Sequence, residues 1–350
     1  MARRLLIAIG VGVVLAGGIA LAVLIDDASR TAASEPLDPH PDSPLQVVAL
    51  GDSYISGEGA EQYFPGTDET GEERNLCHRA PSAYPYLIAD ELGASLRFAA
   101  CSGARIADVT GVDAQGQPAP GQHPRSGEGV YGAHPQVAVL ENLASPDLVL
   151  LSIGGNDAGF GEIGAACANP VRTCSKPGSS SAWLRRLDEV VYPGLVRTYR
   201  TVRRAAGGAP VFALTYPNPF GPEYCDDLIG VNRAEMAFLR DEFSPALNEK
   251  VEAAARVARV EVVDLASALD GRRFCERPLR ETAIHFVKLG RTTGSRLDLG
   301  ALARGSLHPN PEGHRMIRDV VLARLAREHI TGETLPLSDA AGSAAPTAPR

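Results

Sequence analysis

Leu45-Gln-Val-Val-Ala-Leu-Gly-Asp-Ser53, running on as Tyr54-Ile-Ser-Gly-Glu-Gly59, is the stretch from which the fold is read. A short apolar run rich in valine reads as a buried strand. It ends abruptly at Gly51-Asp52-Ser53, and glycines follow at Gly57 and Gly59. A strand that breaks into a tight turn holds its last side chains rigidly at the carboxyl edge of a sheet, where open α/β sheets bind ligands. A serine placed there, just ahead of a helix, can aim its oxygen at a substrate while backbone N–H groups receive developing negative charge. Taken alone, Gly-Asp-Ser is also an ordinary turn, since all three residue types favour turns.

Working outward, strand-like runs alternate with helical ones. The strand candidates are residues 45–50, 96–100, 147–152, 210–215 and 260–265. Most are continuous apolar runs rather than alternating ones, as in parallel strands covered on both faces. Helical stretches fall at 83–92, 183–206, 233–257 and 311–329. In the last, Ile317, Val321 and Leu325 recur every four residues with Met316 and Val320 beside them, which makes a core-facing stripe. Pro193-Gly194 is expected to kink or divide the second helix. The alternation specifies an α/β fold, a three-layer α/β/α sandwich with right-handed crossovers. Long connections at 56–81, 108–135, 159–181, 217–232 and 266–307 are expected to rim a cleft.

The 350 residues accommodate one large α/β domain with tails or two smaller domains, and 44% hydrophobic content suffices for a sizeable core. A net charge of -8 with scattered arginines argues against nucleic acid as a partner. No cysteine belongs to a CxxC pair and no GxxxxGK[ST] loop occurs, so neither a metal nor a cofactor is expected. Arg3 and Arg4 precede an uncharged apolar run at 5–25, followed by Asp26 and Asp27. That is an export or anchoring segment with its basic end in the cytoplasm, long enough to span a bilayer. An uncleaved membrane anchor is the preferred reading over a removed signal, and either one places the body outside the cytoplasm. Residues 26–44 read as a flexible linker and 333–350 as a disordered tail, leaving 45–332 for the folded domain.

The cysteines agree with that address. Six occur, at Cys77, Cys101, Cys167, Cys174, Cys225 and Cys275, and outside the cytosol they are expected to pair. Six cysteines allow 15 connectivities. Cys167 and Cys174 bracket a short polar loop and form the safest pair; sequential pairing throughout is the expectation. The sequence sets no oligomeric state, and a monomer is the working assumption.

A serine hydroxyl is a weak nucleophile until a base accepts its proton. Of the eight histidines, His308 has the best context, Gly305-Ser-Leu-His-Pro-Asn-Pro-Glu-Gly313. Pro309 keeps His308 out of helical geometry, and Asn310 can cap a helix beginning at Pro311. His314, inside that helix, reads as structural or surface. Donors for an oxyanion could come from Phe98-Ala-Ala-Cys-Ser-Gly-Ala104 through Gly103, and from Leu151-Ser-Ile-Gly-Gly-Asn-Asp-Ala158 through Asn156. Each block by itself is an unremarkable βα turn. In order, each follows a strand or precedes a helix on what should be one sheet edge.

With these blocks in hand, the chain resembles the SGNH/GDSL hydrolases, in particular their secreted actinobacterial esterase and lipase branch. Gly51-Asp52-Ser53, Gly103, Gly154-x-Asn156-Asp157 and His308-Pro309 match the four blocks in order, over roughly residues 45–330. The resemblance implies a flavodoxin-like sheet of five parallel strands, three disulfides, and ester or lipid substrates hydrolysed through an acyl-enzyme. It implies Ser53 as nucleophile, His308 as general base, and the Ser53 and Gly103 N–H groups with the Asn156 amide as oxyanion hole. One position departs. The family usually carries an aspartate three residues before the histidine, and here Gly305 stands there. A backbone carbonyl can orient an imidazole equally well, so the Gly305 carbonyl is the first candidate orienter and Asp298 the second. Asp52 and Asp157 read as turn-fixing residues. Alternatives on the same site are a carbohydrate O-acetyl esterase or a phospholipase, because the acyl pocket is built from loops. A surface-anchored binding protein retaining a dead hydrolase fold is the reading from another class.

Overall fold

The computed structural model describes residues 37–68, 75–113, 115–119, 135–141, 143, 146–167, 174–228, 230–286 and 305–328. The valine-rich run forms β1 (Gln46–Gly51), whose Val47, Val48, Ala49 and Leu50 are fully buried. Four more strands follow: β2 (Ser95–Phe98), β3 (Leu148–Ser152), β4 (Val211–Leu214) and β5 (Glu261–Val263). They form one five-stranded sheet in the order β2-β1-β3-β4-β5. All four pairings are parallel, with Val47 opposite both Leu96 and Leu148. This is the flavodoxin-like order, whose topological switch point lies between β1 and β3. Each strand falls within a residue or two of its expected position, because continuous apolar runs bury on both faces of a covered sheet.

The helices that position the site are α1 (Ser53–Ser56), α2 (Tyr84–Glu91), α3 (Gly155–Ala158), α4 (Tyr192–Ala205), α5 (Ser244–Ala258) and α6 (Pro311–Arg327). Helix α4 packs on α5, and α6 packs on α2; right-handed crossovers put the two pairs on opposite faces of the sheet. In α6, Ile317, Val321 and Leu325 are fully buried, as the four-residue stripe requires. The division expected at Pro193 is present. A π-helical turn over Leu187–Val191 immediately precedes α4, and Tyr192 N–H reaches back to the Leu187 carbonyl. A second π-helical turn, Phe238–Phe243, precedes α5, whose second residue is Pro245. In both places a proline ring would strike the carbonyl four residues earlier, and widening the turn relieves that contact.

The three disulfides are Cys77–Cys101, Cys167–Cys174 and Cys225–Cys275, the sequential pairing. The described body begins at Leu37, inside the stretch read as linker: Asp38 Oδ1 accepts from Leu96 N–H at 2.9 Å, and His40 Nε2 lies 3.1 Å from Asp90 Oδ1. The apolar run at 5–25, the first part of the linker and the tail lie outside the described residues. Among the described residues no helix is long and apolar enough to cross a membrane.

Candidate active site

Gly51 ends β1 at φ 134°, a conformation L side chains rarely adopt, and a Cβ there would sit 1.9 Å from the Ser152 carbonyl oxygen. Only glycine permits that approach, and it throws the next residues over the edge of the sheet. Asp52 caps α1, its Oδ1 accepting from Tyr54 N–H at 3.1 Å, and Ser53 becomes the first helical residue. The Ser53 carbonyl accepts from Gly57 N–H (3.3 Å) and Glu58 N–H (3.1 Å), so the serine backbone is fixed on both sides.

His308 arrives from the far end of the chain. Leu307 adopts φ 59° and reverses the backbone. Leu307 N–H donates to the His285 carbonyl (2.6 Å), and the His308 carbonyl accepts from His285 N–H (3.0 Å). The Tyr54 hydroxyl donates to the Leu307 carbonyl at 2.5 Å, and its ring centroid lies 5.0 Å from that of His308. Asn310 caps α6 through Glu312 and Gly313 N–H and also donates to the Thr282 carbonyl at 2.7 Å. A loop pinned on so many sides delivers His308 Nε2 to 2.7 Å from Ser53 Oγ.

The other ring nitrogen determines what that contact can do. His308 Nδ1 lies 2.8 Å from the Ser306 carbonyl oxygen. A carbonyl only accepts, so Nδ1 carries the hydrogen and Nε2 presents its lone pair to the serine hydroxyl. The expected orienter is thereby corrected by one residue: the carbonyl is that of Ser306, not Gly305, because the reversal at Leu307 folds back the peptide two positions before the histidine. Asp298 lies outside the described residues. Burial pulls the His308 imidazole below its ordinary 6.5, against the field of Glu58 and the Ser306 hydrogen bond, which keeps it in the basic form at neutral pH.

The remaining blocks reach the same edge. Gly103 sits at φ 80° in the turn after β2. Among the described residues, no protein acceptor takes the N–H of Ser53 or of Gly103. Asn156 Nδ2 donates one hydrogen to the Ala104 carbonyl at 2.9 Å, which ties α3 to the Gly103 turn and leaves a second amide hydrogen available. The two aspartates hold turns. Asp52 Oδ2 accepts from the Tyr216 hydroxyl at 2.5 Å, and that hydroxyl accepts from Gly155 N–H at 2.9 Å, linking the first block to the third. Burial lifts the Asp52 carboxyl to about 7. Asp157 Oδ2 accepts from Ile106 N–H at 3.0 Å, linking the third block to the second, and burial lifts its carboxyl to about 6.

Two groups around the site were not anticipated from sequence. Tyr216 carries the Asp52–Gly155 relay from just beyond β4, and its position two residues past a strand on the ligand-binding edge is the signal that could have found it. Glu58 lies buried beside the pair, accepting from Ser102 Oγ–H at 2.7 Å and from the Tyr63 hydroxyl at 3.4 Å. A charge flanked by Gly57 and Gly59 reads as solvated loop, yet it belongs to the deciding stretch itself. Among the described residues no cluster of His, Cys, Asp or Glu is arranged to hold a metal ion.

Taken together, the edge carries a polarised hydroxyl, an acceptor for its proton, and three N–H donors on neighbouring turns, the constellation that acyl transfer requires. Lipase 2 of Streptomyces coelicolor is 30% identical to the chain over 269 residues, 74% of this chain and 81% of that protein. The crystal structure of phospholipase A1 from Streptomyces albidoflavus superposes with a TM-score of 0.60 at 26% identity, covering 80% of this chain and 99% of that one. The extracellular lipase of Streptomyces rimosus, at 24% identity and a TM-score of 0.55 over 80% of this chain and 99% of its own, has the same fold. The profile of the GDSL-like lipase/acylhydrolase family matches residues 49–316, and so the chain belongs to that family and is a carboxylic ester hydrolase.

Proposed function

We propose that the protein is an extracytoplasmic serine esterase or lipase that works through an acyl-enzyme on Ser53 with His308 as general base. The observation that carries this reading is the 2.7 Å contact between Ser53 Oγ and a His308 Nε2 left as acceptor by its Nδ1–H bond to Ser306. Ser53 Oγ attacks the ester carbonyl carbon while its proton passes to Nε2. The carbonyl oxygen takes up negative charge facing the Ser53 and Gly103 N–H groups and the free amide hydrogen of Asn156. The imidazolium then gives its proton to the departing alcohol, and water, deprotonated by the same nitrogen, releases the acid. Tyr54, whose ring lies 5.0 Å from that of His308, is followed by half-buried Phe160 at 5.9 Å, and half-buried Leu307 adjoins His308 in the chain, apolar surface suited to an acyl chain. Three disulfides support an oxidising compartment, and the apolar run at 5–25 supports attachment to the membrane by an N-terminal helix.

Phospholipase activity is the second reading, supported by the structural likeness to a phospholipase A1. A fluorophosphonate probe should label the protein and fail to label Ser53→Ala; labelling that survives the substitution would remove Ser53 from the mechanism. Turnover of p-nitrophenyl esters of increasing chain length, run beside a phospholipid and an acetylated glycan, assigns the substrate class.

A further inference from the structure

Glu58 is a buried anion for which the dyad described above has no use. It is 3% exposed, and its backbone N–H donates to the Ser53 carbonyl at 3.1 Å. Its successor Gly59 has φ 90°, and a Cβ there would lie 2.8 Å from the Pro309 carbonyl oxygen and 3.0 Å from His308 Cβ. The segment carrying Glu58 therefore runs directly between the serine turn and the histidine loop. The carboxylate accepts from Ser102 Oγ–H at 2.7 Å, from the Tyr63 hydroxyl at 3.4 Å and from His78 Nδ1. His78 in turn stacks on Tyr63, with centroids 4.5 Å apart, and meets Asp68 Oδ1 at 3.2 Å through Nε2. Burial opposes charge on Glu58, but His78, His308 and Ser102 hold its carboxyl at about 2. Burial likewise opposes charge on His78, which Asp68 and Glu58 raise to about 9.

The dyad lacks a counter-charge. His308 spends Nδ1 on the Ser306 carbonyl and Nε2 on Ser53, and a neutral carbonyl does little for an imidazolium once it has formed. The charged and titratable groups around that ring are Glu58 and His78 beside the serine turn, His285 on the segment bonded to Leu307 and His308 and itself 3.6 Å from Glu61, the Tyr54 phenol, and the buried His314 farther along α6. His78 and His285 oppose a positive His308; Glu58 favours one and outweighs either.

We propose that Glu58 is a positioning residue that supplies the electrostatic half of the missing aspartate's role, stabilising the His308 imidazolium across space and without a hydrogen bond to it. Its bond to Ser102, the neighbour of Gly103, fixes the anion against the oxyanion turn as well as against the base. The inference rests on the Ser53–His308 mechanism.

The test is the pH profile of p-nitrophenyl ester hydrolysis by the full chain, as wild type, Glu58→Gln and Glu58→Asp. Glutamine keeps the size and an acceptor oxygen but removes the charge. An imidazolium deprived of its anion loses its proton more readily, so the acid limb of kcat/KM moves down by about one pH unit. The same loss in the transition state lowers kcat about tenfold with KM unchanged. Glu58→Asp retains the charge and leaves the acid limb in place. An unmoved limb in Glu58→Gln, or an equal shift in both variants, overturns the proposal. If Glu58→Gln proves too unstable to assay, Glu58→Gln/His78→Gln leaves no buried charge unpaired. Its limb still falls, by about half a unit, because the anion acts on His308 more strongly than the cation does; no fall is a refutation. Ser53→Ala and His308→Ala run alongside: full activity in either sinks the mechanism itself, whereas their inactivity with an unmoved Glu58→Gln limb sinks only the role of Glu58.

Discussion

His308 takes its orientation from a peptide carbonyl, and that choice has a consequence for mutagenesis. The Ser306 oxygen already occupies Nδ1–H, so a carboxylate is not needed to fix the tautomer. Asp298→Asn is expected to leave most of the activity, whereas His308→Ala should lower kcat by about a thousandfold or more. Steady-state hydrolysis of one p-nitrophenyl ester separates the two, and comparable losses would mean that an acid does orient the base. Ser53, Gly103, Asn156 and His308 were legible because each sits in a turn block whose glycine or proline marks it. The accepting carbonyl was not, since its identity depends on Leu307 at φ 59°, and a leucine gives no sign of a left-handed conformation. Glu58 was hidden for the opposite reason: its signal, a charge between two glycines, resembles that of any exposed loop.

At the level of elements, the sheet was readable almost residue by residue, because doubly covered strands leave continuous apolar runs. The helices were readable where their stripe was clean, as in α6. Pro193-Gly194 marks a kink or division of its helix, though not its π-helical form, whereas Pro245 lies inside the long helical pattern at 233–257, which gives no sign of the second turn. His314 is the polar interruption in the α6 stripe. It is fully buried, its Nδ1 accepts from Tyr84 N–H at 3.3 Å, and its Nε2 has no partner among the described residues. The imidazole is neutral by necessity, since a second proton would displace that bond, and burial holds it down to about 3 from an ordinary 6.5. An unfolded chain binds this proton below about 6.5 and the folded one does not until about 3. The stability it confers is therefore present above that window and lost as pH falls through it, at up to about 1.4 kcal/mol per pH unit. His314→Gln offers Tyr84 N–H an amide oxygen and nothing to titrate. Urea midpoints at pH 4 and pH 7 should differ less in the variant than in the wild type; an unchanged difference would clear His314 of any part in acid unfolding.

The whole molecule is stapled where its loops gather. Cys77–Cys101 spans 24 residues, Cys225–Cys275 spans 50 and Cys167–Cys174 spans 7. Chain entropy ranks their contributions at about 4, 3 and 2 kcal/mol for the 50-, 24- and 7-residue loops, and a domain of this kind has only about 5–15 kcal/mol in total. Function should rank them differently. Cys77–Cys101 joins the His78 segment to the turn bearing Gly103, and Ser102 N–H donates to the Cys77 carbonyl at 3.1 Å. Cys225–Cys275 closes the loops after β4 and β5, where Gly221 N–H already donates to the Phe274 carbonyl at 2.8 Å, and it joins neither of the segments that carry Gly103 and Asn156. Paired Cys→Ser variants, each assayed for melting temperature and for kcat on one ester, separate the two rankings. Removing Cys225–Cys275 is expected to cost the most stability, and removing Cys77–Cys101 the most turnover per degree of melting temperature lost. Turnover that merely tracks melting temperature across all three variants would mean that the oxyanion turn holds its place without the staple, through hydrogen bonds such as Asn156 to Ala104, Ser102 to Glu58, Ser102 N–H to Cys77 and Cys101 N–H to Gly51.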